Sequence, residues 1–79
     1  MDDRVGFTIL PSAYKHSVDD ESMLNVIASP ISSYYYDDRS VVLVLGFDKN
    51  GDTIEVAYDL LERKIFHAMP IRHSEKRQR

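Results

Sequence analysis

The stretch "SVVLVLGFDKNGDTIEVAYDL", residues 40 to 60, limits the fold more than any other part of the chain. It holds two runs of strand-forming residues joined by "DKNGD", and Asn50-Gly51 is the pair expected at the tip of a tight hairpin, where positive φ angles are needed. Ser40 to Phe47 is almost wholly apolar, as expected of a central strand covered on both faces. Thr53 to Leu60 sets Ile54, Val56, Tyr58 and Leu60 against Glu55, Ala57 and Asp59 with a period of two. Two further strands flank this pair. Ile31 to Tyr36 precedes it across "DDR", and Lys64 to Met69 follows across "LERK". A meander of about four antiparallel strands is therefore predicted.

The residues before Pro30 follow a different period. Asp19 suits a helix N-cap, Asp20 and Glu21 put negative charge in the first turn, and Met23, Val26 and Ile27 fall on one face, widened by Leu24. Pro30 disfavours helical geometry at Ser29, so a helix from about Asp20 to Ala28 is expected. Phe7 to Leu10 reads as a short or edge strand because Pro11 ends it, and "PSAYKH" as the start of a helical turn with Pro11 at its first position. One or two N-terminal helices against an antiparallel sheet give an α+β fold.

A chain of 79 residues makes one domain, with a thin core that neither cysteines nor a zinc-type spacing supplements. The expected domain is 1–72, followed by a basic tail, 73–79. Without cysteine, a signal-type start or a run of about 20 apolar residues, the chain reads as cytoplasmic, with no membrane segment. The net charge of −3 conceals an asymmetry. Residues 1 to 62 carry twelve acidic and four basic side chains, whereas 63 to 79 carry one and six. Such a basic end suits a polyanion, although Ser74 to Arg79 also reads as a plain solvated tail.

The sequence lacks a glycine-rich phosphate loop, a nucleophile elbow and a paired-histidine metal motif, so no cofactor and no metal is expected. Asp19 to Glu21 is explained as a helix start and Asp37-Asp38 as a turn, and "DKNGD" lacks the ligand series of a calcium loop. His67, His73, Arg72, Arg63 and Lys64 together provide what metal-free RNA cleavage requires: a base, an acid, and cations for the developing charge. The same set would also simply bind phosphate. Alternation leaves two arrangements open for His67: Phe66 and Ala68 inward with His67 exposed, or Ile65 and Met69 inward with His67 buried as a structural residue. Tyr34-Tyr35-Tyr36 is open in the same way, between strand filling and stacking on RNA bases, with Tyr35 opposite to the other two.

The order of features resembles the small BrnT-like toxins of bacterial toxin–antitoxin systems, within the RelE-like ribonuclease superfamily. The matching places are Lys15-His16, Asp19 to Glu21, Ser29-Pro30, Arg39 to Gly46, Asn50-Gly51 and Ile65 to Arg72. The resemblance implies a RelE-like sheet with helices on one side, endoribonuclease activity that inhibits translation, and neutralisation by a cognate antitoxin. It places His16 and Arg72 on motif positions, Arg72 as a phosphate contact and His16 either as an RNA contact or as the residue that fixes the helix start. Lys15, Arg63 and Lys64 join His16 as RNA-binding candidates. Ser17 stands where the family has glycine, and His67 where it usually has an uncharged residue. The family's longer C-terminal helix is matched after Arg72 by at most a short remnant, "HSEKRQR", so sheet surface is expected to be exposed, for a homodimer or for the antitoxin. The alternative function is a non-catalytic protein- or RNA-binding module on the same fold.

Overall fold

The computed structural model describes residues 6–36 and 40–71. Five strands and one α-helix follow in order: β1 (Thr8–Ile9), a 3₁₀ turn (Pro11–Tyr14), α1 (Asp20–Ala28), β2 (Ser32–Tyr36), β3 (Val41–Phe47), β4 (Thr53–Asp59) and β5 (Lys64–Pro70). They form a single sheet in the order β1-β5-β4-β3-β2. The α+β class and the antiparallel β2–β5 meander are as expected.

The strand count is corrected from about four to five, and the sheet from antiparallel to mixed, because β1 runs parallel to β5. The Thr8 N–H donates to the Arg63 carbonyl and the Leu10 N–H to the Ile65 carbonyl, both at 2.9 Å. Pro11 then ends the strand, having no N–H to donate.

Helix α1 forms for local reasons. The Asp19 carboxylate accepts from the Ser22 N–H at 3.0 Å, and Asp20 and Glu21 occupy the first turn. Two further contacts pin this end to the β3–β4 hairpin. The Ser22 hydroxyl accepts from the Lys49 N–H at 3.2 Å, and Lys49 Nζ lies 2.7 Å from Asp19 Oδ2. That hydrogen bond, with those from Ser22, draws the Asp19 carboxyl down from 3.8 to about 2. Met23, Val26 and Ile27 are buried against Val42, Val44, Ile54, Val56, Tyr58, Ile65 and Ala68, and Ala13 and Val18 join the same core. At Gly46 the helix approaches so closely that a Cβ would lie 3.1 Å from Val26 Cγ1.

The hairpin tip differs from expectation. Only Gly51 has a positive φ, at 87°, and Asn50 does not. The Asp48 carboxylate accepts from the Asn50 and Asp52 N–H groups at 2.9 and 2.8 Å, and the Gly51 N–H donates to the Asp48 carbonyl. Five residues thus separate the strands, and Gly51 closes a wider loop in place of a two-residue turn. At the β4–β5 turn the Asp59 carboxylate likewise accepts from the Leu61 and Glu62 N–H groups, and Arg63 closes the turn at φ 57°.

Both helical segments feed one core on one side of the sheet. The other face, built from Tyr34 and Tyr36, Val41, Leu43 and Leu45, Glu55 and Ala57, and His67 and Met69, has no helix on it among the described residues.

Candidate acid–base site on the open face of the sheet

Strict alternation fails along β5, and that failure makes the site. Ile65 and Ala68 are both fully buried although three residues separate them. The register explains how: Tyr58 pairs with Ile65 and Ala57 with His67, so Phe66 is an extra residue, a β-bulge. Neither arrangement left open by the sequence is therefore correct as a whole. The bulge lets Ile65 face the core on one side of it and Ala68 on the other, and turns His67 and Met69 to the open face. The Phe66 carbonyl, displaced from the ladder, accepts from the Ser12 hydroxyl at 2.8 Å. The turn that follows β1 thereby braces the bulge.

On the open face His67 meets a carboxylate. Its Nε2 lies 2.8 Å from Glu55 Oε2, on the neighbouring strand and one register step along. Both side chains are about 30% exposed, at 32% and 28%. An ionised carboxylate only accepts, so His67 Nε2 is the donor in this bond, and in the neutral imidazole Nδ1 is then the atom with the lone pair. Ala57, the register partner of His67, is 6% exposed. The 3₁₀ turn carries a second imidazole to this place: the His16 and His67 rings lie 6.1 Å apart, edge to face. Two imidazoles 51 positions apart in the chain thus share one partly exposed site, and a carboxylate orients one of them. Such a group can take a proton at one atom and give one at another.

Among the described basic residues, Arg63 stands apart from His67. Arg63 turns to the helix side, where its guanidinium sits 4.1 Å over the Phe7 ring and against Gly6. Phe7 in turn packs edge-on against Tyr58 at 5.0 Å. Lys64 begins β5, exposed and 3.2 Å from Glu62. His67 lies farther along the strand, on the open face. Lys15 is exposed beside His16. Arg72 and His73, like the tail 73–79, lie outside the described residues.

Sequence reasoning missed Glu55, which it counted as a polar outward position of its strand. The signal was present in the β4–β5 register, but using it required the geometry of the turn at 60–63 and the position of the bulge. A concavity lies elsewhere, on the helix side beside the end of α1, a cleft of about 310 Å³ lined by Phe7, Ile27, Tyr35, Tyr58 and Arg63 among others. Comparison with known proteins gives no match from any family model, any curated protein or any solved structure.

Proposed function

We propose that this chain is the toxin of a bacterial toxin–antitoxin pair, a metal-independent endoribonuclease that inhibits translation. The observation that carries the chemistry is the grouping of His16, His67 and Glu55 at a sheet face that has no helix on it among the described residues. In this reading His67 Nδ1 takes the proton of an RNA 2′-hydroxyl. The O2′ then attacks phosphorus, the bond from phosphorus to O5′ breaks, and His16 gives a proton to the departing O5′. Glu55 holds the His67 ring and stabilises the imidazolium it becomes. Arg72 keeps the phosphate-contact role that the family resemblance implies. The antitoxin and RNA are the partners, and the cytoplasm is where both are available.

The test is cleavage of RNA by purified protein in EDTA, with products ending in a 2′,3′-cyclic phosphate and a 5′-hydroxyl. His16→Ala and His67→Ala should each lose this activity while unfolding like the parent protein. RNA left intact by the parent protein would refute the enzymatic reading. Growth arrest on inducing the chain alone, relieved by the neighbouring small reading frame, tests the toxin assignment separately.

A second reading, a non-catalytic binding module, is favoured by one observation. The open face is largely apolar, and the outer strand β2, "SSYYY", has no charged residue to discourage added strands. Tight co-purification of a small protein, insensitive to salt and without RNA cleavage, would establish it. RNA binding that weakens steeply with salt but cleaves nothing would favour its RNA form.

A further inference from the structure

The three consecutive tyrosines divide between the two faces of the sheet. Tyr35 pairs with Val42 and borders the helix-side cleft, whereas Tyr34 and Tyr36 lie on the open face with His67. Tyr34 occupies the same cross-strand row as the site: Tyr34, Leu43, Ala57 and His67 are successive register partners on β2, β3, β4 and β5. Three strand spacings put Tyr34 roughly 14 Å from His67, a span of about two nucleotides of extended strand. The floor between is Leu43 and Ala57, apolar and without a projecting charge. In the next row Tyr36, Val41, Asp59 and Lys64 are partners, and the Asp59 carboxylate is engaged by the N–H groups of its own turn. Tyr34 and Tyr36 are 57% and 50% exposed.

We infer that Tyr34 and Tyr36 form a base-stacking subsite for single-stranded RNA, engaging an unpaired base about two nucleotides from the phosphate held at His67. The inference rests on the ribonuclease reading of that site and names its substrate class. RNA is favoured as the occupant because the patch continues directly into the acid–base site. Its aromatic residues stand at the end of an apolar row, Leu43 and Ala57, that leads to His67. Duplex RNA keeps its bases stacked inside and cannot make this contact.

The experiment separates binding from cleavage. Fluorescence anisotropy with a labelled, fully 2′-O-methylated single strand of about twelve nucleotides, which cannot be cut, reads affinity alone. Replacing both tyrosines with alanine (Tyr34→Ala with Tyr36→Ala) should weaken binding about tenfold or more. The matching phenylalanine pair should bind like the parent protein, Tyr35→Ala should change nothing, and the same sequence as a duplex should bind more weakly. Equal losses at Tyr35, no loss from the alanine pair, no binding by the parent protein, or a changed oligomeric state as the sole effect of the alanine pair would each overturn the inference. Cleavage of unmodified RNA is scored independently. Expected binding without cleavage would sink the ribonuclease reading alone, and cleavage with unaltered kinetics in the alanine pair would sink the subsite alone.

Discussion

Gly46→Ala, Val26→Ala and their combination form a cycle that tests where the helix sits, and hence which face of the sheet stays open. An alanine Cβ at position 46 would meet Val26 Cγ1, Cγ2 and Cβ at 3.1, 3.2 and 3.4 Å. Carbon atoms settle at about 3.5–4.0 Å, so the two methyl contacts must each give way by some tenths of an ångström, while the third is close to ordinary. Overpacking of this kind costs about 1–3 kcal/mol. Val26 is completely buried, and Val26→Ala removes both methyls that cause the conflict. On its own that change costs about 2–3 kcal/mol in lost burial and residual cavity. In the double variant the new methyl occupies part of the vacated space, so the total should fall short of the sum by about 1–2 kcal/mol. Urea unfolding followed by circular dichroism measures this. With a slope of about 1 kcal/mol per molar, the coupling appears as a midpoint displacement of about 1 M or more. Additivity within about 0.5 kcal/mol would mean that the helix does not cross β3 at Gly46, and the assignment of the open face would fall with it.

Two other perturbations bear on the helix end and the site. The Asp19 carboxyl is held at about 2 by Lys49 and Ser22, below its unfolded value of 3.8. Its stabilisation is therefore complete above the unfolded value and is lost as pH falls towards 2. The difference in melting temperature between the parent protein and Asp19→Ala should be constant from pH 7 to about 5 and close progressively below it; a gap unchanged at pH 2 would contradict this. Ser12→Ala takes the hydroxyl from the bulge carbonyl of Phe66. Stability should fall by about 0.5–1 kcal/mol, and kcat for RNA cleavage severalfold at constant KM, with Ser12→Thr restoring both. Loss of stability without a change in kcat would leave Ser12 a purely structural residue.

Helix α1 was legible because its signals are local: the Asp19 cap, the acidic first turn, the apolar stripe and Pro30 all lie within twelve positions. The β2–β5 meander was legible for the same reason, with strand ends shifted by a residue or so. Strand β1 was only half legible, because two residues carry no period and its partner lies 56 positions away. The hairpin was found from Asn50-Gly51, but its geometry is set by the Asp48 carboxylate, a side-chain effect that the dipeptide rule does not include. At the site the obstacle was the bulge. Once Phe66 is set aside as an extra residue, the burial of Ile65 and Ala68 and the outward aim of His67 agree, yet a single sequence gives no sign of the insertion. The charge asymmetry could be counted from the sequence, but the face each basic side chain takes could not: Arg63 turns to the helix side, over the Phe7 ring. The proximity of His16 to His67 depends on the 3₁₀ turn meeting β5, a tertiary contact with no sequence signature.

The most direct test of the acid–base site is single-turnover cleavage of an RNA with sulfur in place of the scissile O5′, compared with its all-oxygen counterpart. A thiolate leaves without needing a proton, so the acid becomes dispensable while the base does not. The account predicts that the sulfur substrate restores cleavage to His16→Ala and leaves His67→Ala inactive. Equal rescue of both variants, or of neither, would contradict the roles assigned to the two imidazoles.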